Sequence, residues 1–200
     1  MADELPELCL PDATAWRAWL AEHHDQPQGV WLLLAKKGTT EPTSLRYDQA
    51  LDEALCFGWI DGQVRGGSDG IYRQRWTPRR ARSPWSRRNV DHATRLTRQG
   101  VMQPSGLREI ERAKADGRWE SAYAGPAAIE VPADLAAALA LRPRAQAMFE
   151  TLTSQNRYAV LLRLTRAKRP ETRARRLRQY VEMLARGETI YPQRRRPPDA

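Results

Sequence analysis

The chain has 200 residues and carries 33 lysines and arginines against 24 aspartates and glutamates, a formal charge of +9. That length suits one domain, or one domain with a helical appendage, and buries a core without disulfide or metal staples. Only Cys9 and Cys56 are cysteines, the longest apolar run (residues 30–35) is far too short to span a bilayer, and the start carries Asp3, Glu4 and Glu7 with no apolar stretch; a disulfide framework, a membrane span and a secretory leader are therefore not expected, and a reduced cytoplasmic setting is.

Asp12 is placed to cap a helix over residues 13–24, with Trp16, Trp19, Leu20 and His23 on one face. Residues 30–36 form a continuous apolar strand of the kind buried on both faces. A second helix over 47–57 turns Leu51, Ala54 and Leu55 inward and ends at Gly58, a left-handed cap. Residues 59–65 and 71–77 read as two strands of a hairpin joined by Gly66-Gly67-Ser68-Asp69-Gly70. Pro78 stops the second strand, and Ser83-Pro84 opens a helix in cap-then-proline order that closes at Gly100. A helix over 105–116 follows, then an irregular stretch over 119–132 broken at Gly125-Pro126. Four helices, beginning near Asp134, Pro143, Ser154 and Pro170, fill the last third before Gly187. The expected architecture is α+β over residues 1–130, a small antiparallel or mixed sheet with packed helices. A helical segment over 131–188 and a disordered, basic, proline-rich tail over 189–200 follow.

The charge is uneven. Residues 1–60 hold ten acidic and four basic side chains, a net of −6, which leaves +15 for the rest. Ten arginines lie between Arg65 and Arg98, and eight basic residues between Arg163 and Arg178. Such fields favour anionic partners. Yet only four of the 33 basic residues are lysines, so codon preference competes with a binding footprint as the reason for the arginines.

The segment over 56–89 mixes residue types that an ordinary core does not need together. It contains glycines for tight turns, tryptophans with flat apolar faces and one N–H each, and the carboxylate of Asp61 among arginine forks. Asp61 is the best single candidate for acid–base or ligand-binding work, with the hairpin expected to bring Arg73 or Arg75 within reach of residues around Asp61 to Arg65. A turn-fixing ion pair is the commoner fate of such a carboxylate. Trp59, Trp76 and Trp85 offer a stacking platform, one or two of them partly exposed, with core packing as the alternative. The helix start at Ser83 to Ser86, with Arg79, Arg82, Arg87 and Arg88 around it, is a natural anion site. Cys56 with a histidine as nucleophile and base is outweighed by a buried helix-end cysteine. No cysteine or histidine shows metal-ligand spacing, and no metal or cofactor is expected. The helices meeting near Arg169-Pro170 mimic a helix-turn-helix, but Arg173, Arg175, Arg176 and Arg178 fit a solvated basic face better than a base-reading one.

Three groups of residues carry a resemblance. They are Ala54-Leu55-Cys56-Phe57-Gly58-Trp59-Ile60-Asp61-Gly62; Thr77-Pro78-Arg79 with Ser83-Pro84-Trp85-Ser86 and Asn89; and Ala167-Lys168-Arg169-Pro170-Glu171-Thr172-Arg173. Together they resemble the YdeI/OmpD-associated family, labelled as bacteriocin protection in some bacteria. The resemblance runs from about Trp16 to Gly187, and residues 132–187 are similar to its OmdA helical segment. It implies a small cytoplasmic bacterial protein and supplies no catalytic residue.

The function expected from all this is non-enzymatic: a stress- or bacteriocin-resistance-associated protein that binds an anionic or aromatic ligand or a protein partner. The binding residues would be Trp59, Asp61, Arg79, Ser83, Trp85, Ser86 and Asn89. The first alternative is an enzyme acting on a small phosphorylated or carboxylated substrate through Asp61 and nearby arginines. The second is weak, non-specific nucleic-acid binding. Oligomeric state is left open.

Overall fold

The computed structural model describes residues 5–125 and 128–197; Pro126, half of the breaker expected at 125–126, and the end of the basic tail lie outside them. The described residues form eight helices and a four-stranded mixed sheet, the α+β class expected, and they divide into two units, Met1–Ala122 and Tyr123–Ala200.

In the first unit Asp12 caps α1 (Ala13–His23) by accepting from the Ala15 N–H at 2.9 Å. Trp16 and Leu20, four residues apart, point into the core, and the Trp16 indole donates to the Ala50 carbonyl of α2 (Tyr47–Cys56). Gly58 terminates α2 with φ +80°, a conformation that suits glycine. Gly106 permits the close approach of α4 (Pro104–Ala115): a Cβ there would sit 2.2 Å from the Cys56 carbonyl oxygen.

The sheet runs in the order β1-β2-β4-β3: Glu7–Leu8, Val30–Ala35, Ile71–Pro78 and Trp59–Arg65. β3 and β4 are the expected antiparallel hairpin, and β2 pairs antiparallel with β4. The two-residue β1, too short to give a sequence signal, adds parallel to β2. Between Asp61 and Val64 the β3 register slips by one residue, and the buried Gln74 side chain donates to the Gly62 carbonyl within this bulge. Alternation along the strands separates two faces. Val30, Leu32, Leu34 and Trp76 join Trp16, Leu20, Leu51, Leu55 and Trp59 in one apolar core under the helices. Trp31, Leu33, Arg73 and Arg75 project the other way.

The helix read from Ser83 starts later. α3 spans Arg87–Arg98, and its cap is Ser86, whose hydroxyl accepts from the Asn89 N–H. Ser83 instead closes a turn: its hydroxyl accepts from the Arg80 N–H, and its own N–H donates to the Arg80 carbonyl. Both serines are good caps, and the one whose side chain meets a free N–H three residues on sets the boundary.

The second unit holds α5 (Ala133–Ala140), α6 (Pro143–Glu150), α7 (Ser154–Thr165) and α8 (Pro170–Ala185) around Leu135, Met148, Phe149, Leu161, Leu164, Val181 and Leu184. Arg173 of α8 clamps Asp134 of α5 through two bonds, at 2.7 and 2.8 Å. The fully enclosed Asn156 of α7 bonds the backbone N–H and carbonyl of Tyr191 and the Gln193 side chain, so the first residues after α8 are tied down.

Candidate functional site

The loop between β4 and α3 is held by two arginines. Arg79, whose N–H donates to the Gly58 carbonyl, lies buried with its guanidinium 3.6 Å over the Trp85 ring and donates to the Pro84 carbonyl at 3.2 Å. Arg118 donates to the neighbouring Ser83 carbonyl at 2.8 Å while bonding Asp116. Trp119 meets Trp85 edge-on with ring centroids 4.9 Å apart. Two guanidiniums and the Trp119 indole thus hold residues 83–85, with Trp85 buried and Ser83 and Pro84 partly exposed. Trp85 is 2% exposed, and its Nε1, together with Arg118 Nη2, is buried without a hydrogen-bond partner in the structure. Ser105 Oγ and Glu109 Oε2 share that condition, at the helix turn that packs on Gly58. Native interiors leave few polar groups in this state.

Asp61 sits in a second group. It lies opposite Trp76, hence on the helix side of the sheet, and accepts from the Tyr47 hydroxyl at 3.0 Å. Arg88, in the first turn of α3, stands 5.0 Å from the Tyr47 ring centre. Burial and then the Asp61 charge push the Tyr47 phenol well above its ordinary value, so it serves as a hydrogen donor and not as an acid at neutral pH. Arg73 and Arg75 do reach the strand segment expected of them, Arg73 opposite Arg65 and Arg75 along Gly62, but on the face opposite to Asp61, because residues directly across a strand pair share a side. Arg73 pairs with Glu7 instead.

The sequence-predicted residues are therefore divided. Arg79, Ser83 and Trp85 come together; Asp61 joins Tyr47 and Arg88; Ser86 and Asn89 form the capped start of α3, with Asn89 buried. Trp59 is a core residue, 0% exposed, its indole donating to the His24 carbonyl. None of Trp59, Trp76 and Trp85 is exposed, contrary to the expected platform, because each faces helices across the sheet or the α3–α4 corner. Sequence reasoning named Arg88 only beside the Ser83 to Ser86 helix start, and it missed Tyr47, Arg118 and Trp119. The Arg118-Trp119 pair after Gly117 repeats the arginine–tryptophan chemistry of the earlier segment, a signal present in the chain but distant from it.

The remaining chemical groups have structural roles. Burial, with Glu53 and Asp52 adding to it, pushes the Cys56 thiol up to about 11, which leaves it protonated at neutral pH. His92 bonds Asp52, which Arg95 also holds. On α8, Arg173 is engaged by Asp134 and the Leu164 carbonyl, and Arg176 by the Arg163 carbonyl. Two of the four arginines read as a solvated basic face are thus engaged in packing α8 against α5 and α7. No helix among the described residues is long and apolar enough to cross a membrane.

No curated protein and no solved structure matches the chain. Residues 8–109 match a family described as a domain of unknown function, DUF8412, and residues 128–187 match the family described as Bacteriocin-protection, YdeI or OmpD-Associated. The resemblance drawn over 16–187 thus divides between two families, neither description naming a reaction. The chain belongs to the DUF8412 family, and its C-terminal segment is of the YdeI or OmpD-associated kind.

Proposed function

We propose that this protein is a cytoplasmic, non-enzymatic binding protein associated with stress or bacteriocin resistance, and that its first unit takes up a small oxyanion at the Arg79–Trp85–Arg118 corner. One observation carries the reading. Trp85 Nε1, in a loop that two guanidiniums already grip, and Nη2 of Arg118, one of those guanidiniums, are buried donors with no acceptor. A buried donor left unsatisfied costs about 1–3 kcal/mol. A phosphate or carboxylate held between the two would remove that cost and would gain charge-assisted bonds from arginine. With the tryptophans enclosed, an anionic ligand suits these residues better than a stacked aromatic one.

The test is a titration with phosphate and with acetate, followed through backbone amide and indole N–H shifts. Shifts at residues 83–89 and at the Trp85 indole are expected, and Trp85→Phe, which keeps an aromatic ring but removes the donor, should weaken the backbone shifts several-fold. An intact spectrum that does not respond would remove the reading and leave the corner as structure.

A second reading rests on Asp61, which stays partly exposed while Tyr47 fixes its carboxylate and Arg88 stands near. It is an enzyme acting on a small phosphorylated or carboxylated substrate. Turnover of a phosphomonoester panel that disappears in Asp61→Asn would favour it over binding alone.

A further inference from the structure

We infer that the sheet face turned away from the helices of the first unit binds single-stranded nucleic acid, with Arg65, Arg75 and Trp31 as its centre. The buried side chains of α1 to α4 pack on the face that carries Val30, Leu32, Leu34 and Trp76. On the other face the register sets Glu7, Trp31 and Arg75 in one row, and Leu33, Arg73 and Arg65 in the next. Two features of these rows point to an anion that also has flat rings.

The first is charge. Arg65 and Arg73 are directly opposed across β3 and β4, where like charges destabilise a strand pair. Glu7 answers Arg73 alone. Arg65 remains exposed, and Arg75, whose side chain lies along Gly62, keeps a buried Nε with no hydrogen-bond partner. The face therefore holds three arginines against one carboxylate, with their repulsion incompletely relieved. Phosphates spaced along a strand would relieve it.

The second is an apolar row beside the charge. Trp31, only 5% exposed, and the half-buried Leu33 lie on β2, and Arg65 reaches across β4 to cover Trp31 with its guanidinium, 4.2 Å over the ring. That exposed arginine is the outward plate of the stack. A base can stack on its outer face while the buried indole holds the guanidinium plane from beneath, an arrangement that sequence-tolerant single-strand binders use. A sheet face of four strands also suits splayed bases better than a duplex, whose base edges lie inside its grooves. An acidic protein partner would meet the charge but would leave the Trp31–Arg65 stack without a role.

The experiment uses the full chain and a short fluorescein-labelled oligothymidine, with anisotropy read at low and raised salt. Thermal melts of each variant establish that it is folded. Arg65→Ala/Arg75→Ala should bind at least about tenfold more weakly, with the log–log salt slope smaller by about 1.4, two phosphate contacts on a single strand. Trp31→Leu should weaken the oligonucleotide while leaving binding of inorganic polyphosphate unchanged. Arg175→Ala/Arg178→Ala, which removes the same charge from α8, should have little effect. The inference is overturned if the α8 variant loses as much as the sheet variant. It is equally overturned if duplex or polyphosphate competes as well as the oligonucleotide, or if an acidic polypeptide binds this face and the oligonucleotide does not.

Discussion

The Tyr47 hydroxyl donates to the Asp61 carboxylate at 3.0 Å, and this bond joins the first turn of α2 to the edge strand β3. It also keeps Asp61 on the helix side, back to back with the arginines of the hairpin. Hydrogen bonds to charged groups contribute about 1.5–3 kcal/mol when well enclosed. Asp61 is only partly buried, so Tyr47→Phe should cost about 1 kcal/mol in urea unfolding. Asp61→Asn, which keeps an acceptor, should cost less.

Alkaline pH should weaken the first unit in a defined window. The Cys56 thiol titrates at about 11 in the fold against an ordinary 9.0. The unfolded chain releases that proton first, so the stability tied to it is whole below pH 9 and is lost between 9 and 11. Tyr47, raised in the same direction, extends the loss above pH 10. Denaturant midpoints across this range should fall, and in Cys56→Ala they should fall less from their lower starting point. At neutral pH iodoacetamide should label the exposed Cys9 and spare the buried Cys56.

Arg79 should not tolerate lysine. A guanidinium can lie flat on Trp85 and donate edgewise to the Pro84 carbonyl at once, whereas an ammonium has no such plane. Arg79→Lys should lose about 2 kcal/mol, the size of a desolvated cation–π contact with its bond to a carbonyl. Trp85 emission should change in the folded variant.

The Asp134–Arg173 clamp should make the second unit acid-sensitive. Hydrogen bonds from Arg173 hold the Asp134 carboxyl below its ordinary 3.8. Stability from this pair is therefore present above the ordinary carboxylate range and is lost as pH falls through the depressed value. Each side chain is about a third exposed, which limits the effect to about 1 kcal/mol or less. An acid titration of Asp134→Asn followed by circular dichroism should show a flatter decline than the parent.

Local chemistry made much of this fold legible. Asp12, Gly58 and the glycine-rich loop after Arg65 each set a boundary within reach of their own side chain or backbone, and their elements fell where expected. The choice between Ser83 and Ser86 was not local, since Arg79 and Arg118 hold the loop and delay the helix. The site was less legible for a related reason. One extra residue between Asp61 and Val64 decides which side each later side chain of β3 takes. No residue type announces that bulge; Gln74, which fills it, reads in sequence as a surface polar group. Tryptophans gave the weakest guidance, because the residues that make a stacking surface also make a core.

The strand order has a kinetic consequence. β3 and β4 are joined by a short loop and pair as neighbours in sequence, but β2 must insert between β1 and β4 after the whole of α2 and the hairpin have been synthesised. Closing that longer loop costs chain entropy before any β2–β4 contact offsets it. The hairpin should therefore be an early, local structure, and docking of β2 the step that sets the folding rate. Substitutions at Leu32 or Leu34 should slow refolding, whereas changes on α3 should chiefly speed unfolding.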